Sequence, residues 1–123
     1  MSSTGRRQPL VAVVYSVPLL CEAIASALDD IAEVRTFPGR RDDVVGLLRS
    51  VRPDAVVVDD PIESAQIRGW AENQDLPLVE ICLREVKIRV LRNREWQAST
   101  GTSAESIRNA IAGSIYGRDT IRS

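Results

Sequence analysis

The sequence contains no histidine among its 123 residues, which excludes imidazole as a general base, a phosphate carrier or a metal ligand. Ser-His-Asp catalysis and most zinc sites are excluded for the same reason. Glycine is also sparse, and isolated residues such as Gly39, Gly46 and Gly69 form no Gly-rich phosphate-binding loop. We therefore expect no enzymatic activity, no cofactor and no bound metal.

Lysine occurs once, at Lys87, and the 16 basic residues are balanced by 17 acidic residues. The formal net charge of −1 gives no electrostatic reason for the whole surface to bind nucleic acid or a membrane. No apolar run approaches the roughly 18 residues that a membrane span requires. The first eight residues also lack the apolar stretch of an export signal. We expect a cytoplasmic protein without direct contacts to nucleic acid or membrane.

Only two cysteines are present, Cys21 and Cys82, and each lies among apolar residues far from the other. This setting favours two buried, reduced thiols over a disulfide or a reactive thiol. Without a covalent crosslink, the fold has to be stabilised by its core. The length and the 44% of apolar residues are sufficient for one compact domain with a single substantial core.

Apolar runs alternate with helical patterns in the first half of the sequence. Continuous β-branched runs are typical of strands that are buried on both faces. A β-α-β-α-β order of this kind predicts a parallel sheet with helices on both faces and right-handed crossovers. The predicted strands are 10–15, 33–37 and 55–58, and the predicted helices begin at Pro18 and at Asp42 or Asp43.

The second half has a different period. A weaker helix is predicted over 61–73, with Ile62, Ile67 and Trp70 facing inward. Apolar residues then alternate with polar ones over 78–90, which predicts an antiparallel hairpin. Its expected pairs are Val79 with Val90, Ile81 with Ile88 and Leu83 with Val86. A further strand over 95–98 with Trp96 inward and a last helix from Thr102 to Tyr116 complete the predicted elements.

The segments VAVVYSVPLLCEAIASAL and VRPDAVVVDD combine a buried strand, a helix that begins with Pro-Leu and an apolar strand that ends in two aspartates. Across residues 10–73 this arrangement resembles the receiver domain of bacterial response regulators, particularly those joined to LuxR-type helix-turn-helix regions. The resemblance implies an α/β, flavodoxin-like three-layer sandwich with a parallel sheet, in which the C-terminal antiparallel hairpin replaces the family's fourth helix. It also implies a single receiver-like domain over 10–117, between a flexible N-terminus (1–9) and a C-terminal tail (118–123).

The resemblance places the family's phosphoacceptor at Asp59, beside the acidic neighbour Asp60. The family also carries an acidic pair that holds Mg²⁺ after the first strand, and a lysine after the fifth. Here the acidic-pair positions are Tyr15 and Ser16, which cannot supply two carboxylates. Since Asp59 and Asp60 are adjacent on a strand, we expect their side chains to point to opposite sides and not to share a metal. Lys87 comes too early for the family's lysine and is expected on the outer face of the hairpin.

We interpret the chain as a non-catalytic, receiver-like module of bacterial signalling or transcription regulation. It would act through protein–protein interaction or self-association, independently of phosphorylation. The expected partner is another protein or domain of a regulatory pathway, or a second copy in a homodimer. Arg89, Arg92 and Trp96 are the candidate interface residues. The purely structural alternatives are a solvated strand edge for the two arginines and core packing for Trp96. Two alternatives stay open: a genuine phosphoacceptor that uses Asp59 with a non-standard metal site, and a small-ligand-binding α/β module.

Overall fold

The computed structural model describes residues 8–39, 43–82, 87–92, 95–100 and 104–116. These residues form an α/β unit with one mixed sheet of six strands and with four helices, which confirms the predicted α/β class. The strands are β1 (Leu10–Tyr15), β2 (Glu33–Pro38), β3 (Ala55–Val58), β4 (Leu78–Cys82), β5 (Lys87–Arg92) and β6 (Glu95–Thr100), and the helices are α1 (Pro18–Leu28), α2 (Val44–Val51), α3 (Pro61–Asn73) and α4 (Ala104–Tyr116).

The sheet has the strand order β2-β1-β3-β4-β5-β6. The first four strands are parallel, whereas β5 and β6 are antiparallel to their neighbours. Strand β3 lies at the centre of the parallel part, and all four of its residues are 0% exposed. Its unbroken apolar sequence, AVVV, is explained by this position, because helices cover both faces of a parallel sheet.

Two apolar cores lie on opposite faces of the sheet. Successive residues of β1 divide between them, since neighbouring side chains of a strand point to opposite faces. Val11 and Val13 pack in the core formed with α1 and α4, whereas Ala12 and Val14 pack in the core formed with α2 and α3. The apolar stripe predicted for the last helix is confirmed, with Ile107, Ile111, Ser114 and Ile115 buried.

The predicted hairpin is confirmed where the structure describes it. Val79 pairs with Val90 and Ile81 pairs with Ile88 in an antiparallel register, and these side chains share the α1/α4 face. The third expected pair, Leu83 with Val86, lies outside the described residues. The chain then returns in β6, whose Trp96 is half-buried against the α2/α3 core.

The prediction for the inner face of α3 was wrong at one residue. Ile67 is buried and Trp70 is half-buried, but Ile62 is 67% exposed. Positions 62 and 67 are five residues apart, which separates them by roughly 140° around a helix of 3.6 residues per turn. The buried face instead contains Glu63, Ser64, Ile67 and Ala71.

Helix α4 is joined to the end of α1 through Arg108. Its Nη1 donates hydrogen bonds to the Ala27 carbonyl oxygen at 2.9 Å and to Asp30 Oδ1 at 2.6 Å, and Nη2 donates to Asp30 Oδ2 at 3.2 Å. The hydrogen bond from Arg108 lowers the pKa of Asp30 below 3.8, and the same contact raises the pKa of Arg108. This contact therefore stabilises the packing of α4 on α1 most strongly when Asp30 is ionised.

We expect Asp30→Asn to be less stable than the parent chain at neutral pH, with a difference that disappears on acidification. Because the folded-state pKa of Asp30 is lowered, its contribution is complete above the unfolded-state pKa and is lost as the pH falls through the folded-state value. Urea unfolding at a series of pH values measures this difference. Asp29→Asn, an exposed neighbour, is the matched control. A stability gap between Asp30→Asn and the parent that stays constant with pH would contradict the assignment.

Candidate functional site

The carboxyl ends of the parallel strands meet at one edge of the sheet, where ligands gather in folds of this kind. Tyr15 is the last residue of β1 and Ser16 follows it there, and Asp59 and Asp60 follow β3. Strand β5 runs in the reverse direction, so its first residue, Lys87, also lies at this edge, paired with Cys82 of β4. The tertiary structure thus places at a single edge the residues singled out from the sequence as remnants of a phosphoacceptor site.

Asp59 has hydrogen-bond donors on both carboxylate oxygens. Its Oδ1 accepts from the Ser16 backbone N–H at 2.8 Å and from the Ser16 hydroxyl at 2.9 Å. Its Oδ2 accepts from the Val17 N–H at 3.0 Å. The carboxylate therefore connects the end of β3 to the segment between β1 and α1.

The start of α1 explains why a carboxylate is favourable at this place. The helix begins at Pro18, its N-cap residue Val17 makes no side-chain capping hydrogen bond, and its first turn contains no acidic residue. The positive end of the helix dipole and the adjacent backbone N–H groups are stabilised by a nearby negative charge. Asp59 supplies that charge from a neighbouring strand, which is a structural role that the sequence motif alone does not indicate.

Asp60 points to a different helix. It is only 8% exposed, and its Oδ1 accepts from the Ile62 N–H at 2.9 Å as the N-cap of α3. The two adjacent aspartates thus cap two different helices. The Mg²⁺ ion implied by the receiver resemblance does not fit this arrangement, because Asp59 already accepts three hydrogen bonds, which leaves about one of its roughly four lone-pair positions, and Tyr15 and Ser16 add no carboxylate. Within the described ranges, no group of three or more acidic or cysteine residues is arranged to hold a metal.

Cys21 lies one turn into α1, close to Asp59. It is buried, and burial, followed by the negative charges of Asp59 and Glu22, raises the pKa of its thiol. A thiol with a raised pKa is protonated near neutral pH and is a poor nucleophile. Cys21 and Cys82 are both free, with Cys21 buried and Cys82 half-buried. The prediction of two buried thiols without a disulfide is therefore right for Cys21 but wrong about the burial of Cys82.

A buried carboxyl group, Glu63, lies behind Tyr15 and was not singled out from the sequence. It is 2% exposed in the first turn of α3. Gly39, just after β2, donates its N–H to the Tyr15 carbonyl oxygen at 2.8 Å. A methyl group at position 39 would lie 3.2 Å from Glu63 Oε1 and 3.2 Å from that carbonyl oxygen. A glutamate in the first turn of a helix is ordinary composition, so no local pattern could have identified this packing.

Lys87 lies on the face of the hairpin opposite Ile88, as expected, but this face is not fully exposed. It is half-buried and lines a cavity of about 190 Å³ on the α3 side of the sheet. The other lining residues are Pro61, Glu80, Cys82 and Arg89. This volume is below the roughly 300–1,000 Å³ of typical small-molecule sites. The cavity therefore gives little support to a small-ligand module.

The candidate interface residues are not on one surface. Arg89 and Trp96 lie on the α2/α3 face, where the guanidinium carbon of Arg89 is 4.2 Å from the centroid of the indole ring. Arg92 lies on the opposite face, and its Nη1 donates to the Gly113 carbonyl oxygen of α4 at 3.4 Å. The alternation of β5 separates them, since residues an odd number of positions apart point to opposite faces.

Arg89 also binds a buried carboxylate. Its Nε donates to Glu80 Oε1 at 2.6 Å, and its Nη2 contacts the same oxygen. The Glu80 side chain is 6% exposed, whereas that of Arg89 is 36% exposed. Glu80 pairs directly with Arg89 across β4 and β5. The guanidinium is therefore part of an internal Glu80–Arg89–Trp96 cluster and not a free basic strip.

Three large apolar side chains are exposed near Asp59 and Asp60. Leu19 is 77% exposed, Ile62 is 67% exposed and Val17 is 36% exposed. Val17 is the N-cap residue of α1, and Leu19 and Ile62 belong to the first turns of α1 and α3, which the two aspartates cap. Exposed apolar side chains grouped at one edge are typical of protein contact surfaces more than of ligand pockets.

Comparisons with known proteins give no relative from which a function could be transferred. No protein-family model, no curated protein and no solved structure matches the chain. Among the described residues, no helix is long and apolar enough to cross a membrane. Any assignment of function therefore has to be based on the geometry of the sheet edge and its surroundings.

Proposed function

We propose that the chain is a non-catalytic, receiver-like regulatory module that acts through protein–protein interaction or self-association, independently of phosphorylation. The observation that carries this proposal is that the carboxylate of Asp59 already binds hydrogen-bond donors. Both of its oxygens accept hydrogen bonds from Ser16 and Val17, at 2.8–3.0 Å. The residue at the phosphoacceptor position is used to hold the start of α1.

The chemistry of phosphoryl transfer explains why these hydrogen bonds to Asp59 matter. An oxygen of the acceptor carboxylate has to approach the phosphorus, and cations have to offset the negative charge that accumulates there. Asp59 would have to release helix-capping hydrogen bonds before it could react. Tyr15 and Ser16 provide no carboxylates to position a divalent cation beside it.

The fold supports a receiver-like origin. The order β2-β1-β3-β4 of the parallel strands agrees with the first four positions of the 2-1-3-4-5 order of flavodoxin-like domains. Beyond β4 the chain departs from that order, because an antiparallel strand follows where the receiver family has a helix and a parallel strand. We propose that the hairpin replaces the family's fourth helix and, with it, part of the surface that responds to phosphorylation.

The surface at the sheet edge supports a role in protein contacts. Leu19 and Ile62 expose most of their side chains beside the two aspartates, and exposed apolar side chains in a group are one mark of a protein contact surface. We propose a protein of a bacterial regulatory pathway, in the cytoplasm, as the partner of this module. The net charge of −1 gives no support to direct binding of nucleic acid.

One observation favours the alternative of a genuine phosphoacceptor. The reversal of β5 brings Lys87, the only lysine, to the same sheet edge as Asp59. One strand, β4, lies between β3 and β5 in the sheet order, as it does between the strands that carry the aspartate and the lysine of receivers. A cation at this place would help to offset charge on a phosphorylated aspartate.

Incubation with acetyl phosphate and Mg²⁺, followed by intact mass measurement, distinguishes the two functions. We expect the mass of the parent chain to remain unchanged, because the Asp59 oxygens are bound to N–H and O–H donors. Asp59→Asn is the matched control for adventitious modification. A phosphoryl group that is gained by the parent and not by Asp59→Asn would refute the phosphorylation-independent function and establish the alternative.

A further inference from the structure

Strand β6 is an edge strand, because it is the last strand in the order of the sheet and has a neighbouring strand on one side. It pairs with β5 from Lys87–Thr100 to Arg92–Glu95, and no other strand of the described residues pairs with it. Alternate residues of an edge strand direct their N–H and C=O groups away from the sheet. Such a row of backbone groups is a template for pairing with another strand.

The opposite edge, β2, is protected in ways that β6 is not. Strand β2 ends in Pro38, which has no N–H to donate, and it carries an ion pair between Glu33 and Arg35 at 3.6 Å. Proline and charged side chains discourage pairing at sheet edges. Strand β6 has the sequence EWQAST, with Glu95 as its only charged residue and no proline. The two edges of the same sheet therefore differ in their capacity to accept a further strand.

We infer that β6 pairs antiparallel with β6 of a second copy of this chain, so that two six-stranded sheets join into one. Antiparallel pairing of identical strands is compatible with a two-fold axis perpendicular to the sheet, the symmetry of most homodimers. Rotation about this axis leaves the α2/α3 faces of the two sheets on the same side of the joined sheet. Residues opposite each other must therefore share a face, which in identical strands requires both residue numbers to be even or both to be odd.

Side-chain size selects a register centred on Gln97. In this register the two Gln97 residues face each other at the axis, and Trp96 of each copy lies opposite Ala98 of the other. The large Trp96 side chain then covers the space beside the small Ala98 side chain on the α2/α3 face, where the two sheets meet. A register centred on Ala98 would instead place two alanines at the axis and lose this pairing. Like charges do not meet in the Gln97 register, because Glu95 lies opposite Ser99 of the second copy.

The surroundings of β6 favour this arrangement. Arg89 stacks on Trp96 at 4.2 Å, so the ring has a defined position before the partner binds. Gln97 and Ala98 are exposed, so their side chains are accessible on the two faces of the strand. A preorganised aromatic residue lowers the entropic cost of association. Five residues a side is a small interface, so we expect a concentration-dependent dimer.

This inference rests on the proposed function, because it identifies the self-association named there. The two can nevertheless fail separately. Phosphorylation of Asp59 is measured by mass on the monomer, whereas the pairing of β6 is measured by oligomeric state. A dimer that also accepts a phosphoryl group would refute the phosphorylation-independent function and leave the pairing of β6 intact.

Light scattering of the full chain over a range of concentrations tests the dimer. We expect the mass to rise from 13.5 kDa toward twice this value. Gln97→Lys places two positive charges opposite each other and should weaken association by about fivefold or more. Thr36→Lys, at a position on β2 that is also exposed, is the control and should leave association unchanged. A chain that stays monomeric at every concentration, or equal effects of the two substitutions, would overturn the inference.

Mixing two charge variants tests the register directly. Gln97→Glu alone should weaken the dimer as Gln97→Lys does, and an equimolar mixture of the two should restore association, because opposite charges then meet at the axis. Absence of this rescue would overturn the pairing of the two Gln97 positions.

A crosslinking experiment provides a second measurement. Directly opposite residues of antiparallel strands have Cα atoms about 4.5–5.5 Å apart, within the roughly 4.4–6.8 Å range of disulfides. We expect Gln97→Cys to form a covalent dimer under mild oxidation, faster than Ala98→Cys and than the parent chain with its two natural cysteines. Faster crosslinking through position 98 would overturn the Gln97 register.

Discussion

Arg89→Met is expected to lower the free energy of unfolding by about 2–4 kcal/mol, less than the roughly 3–5 kcal/mol for breaking a fully buried ion pair, because the Arg89 side chain is 36% exposed. Glu80 has a side chain that is 6% exposed and receives two contacts from the guanidinium of Arg89. Methionine preserves much of the apolar contact with Trp96 but leaves the carboxylate buried without its cation. The loss is therefore expected to come from desolvated charge and not from lost packing. Urea unfolding followed by circular dichroism measures it.

The double variant Glu80→Met/Arg89→Met identifies the cause. Replacing both charges by apolar groups removes the unpaired carboxylate, so most of the lost stability should return. Arg35→Met is the matched control, because the Arg35 side chain is 55% exposed and its ion pair with Glu33 is expected to contribute about 0–1 kcal/mol. A double variant that is less stable than Arg89→Met would show that the cluster stabilises by specific hydrogen bonds and not by charge compensation.

Asp59→Ala is expected to lower the free energy of unfolding by about 2 kcal/mol, from lost charge-assisted hydrogen bonds and from the lost charge at the start of α1. Three donors, two from Ser16 and one from Val17, converge on this carboxylate. The site is half-buried, so water can replace part of what is lost. Thermal and urea unfolding of the variant measure the effect.

Asp59→Asn separates charge from shape at the same position. The amide keeps one acceptor oxygen but turns an NH₂ group toward N–H donors, so we expect a loss smaller than or equal to that of alanine. Glu22→Gln, which removes an exposed charge from α1, is the control and should have little effect. If Asp59→Ala were as stable as the parent chain, the capping role would be wrong and the proposed function would lose its main support.

These two predictions concern the same question from different sides. In a phosphoacceptor, removal of the reactive aspartate often relieves a functional constraint, whereas removal of a structural group costs stability. The charged groups of Asp59 and Arg89 both bind partners on neighbouring strands or loops, N–H and O–H donors for Asp59 and the Glu80 carboxylate for Arg89. A measurable loss of stability at each would identify them as parts of the scaffold, which agrees with a module that works through its surfaces.

The sequence by itself determined the main elements of the scaffold. Unbroken apolar runs predicted β1 and β3, and the change to a period of two predicted the antiparallel pairing of Val79 with Val90 and Ile81 with Ile88. These features follow from the repeat of side chains along a strand or helix, which is a local property. The same property predicted that Asp59 and Asp60 would point to different sides.

The tertiary structure alone decided what the side chains contact. The donors to Asp59 are 42 and 43 residues away in sequence, and the buried Glu63 lies close to Gly39, a contact that no sequence pattern indicates. Lys87 lies at the same edge of the sheet as Asp59 because β5 is reversed, and strand register pairs Arg89 with Glu80. Periodicity tells which face a residue occupies, whereas the partner on that face depends on how distant elements pack. For this reason the scaffold could be predicted from PDAVVVDD and its neighbours, but the use of Asp59 as a helix cap could not.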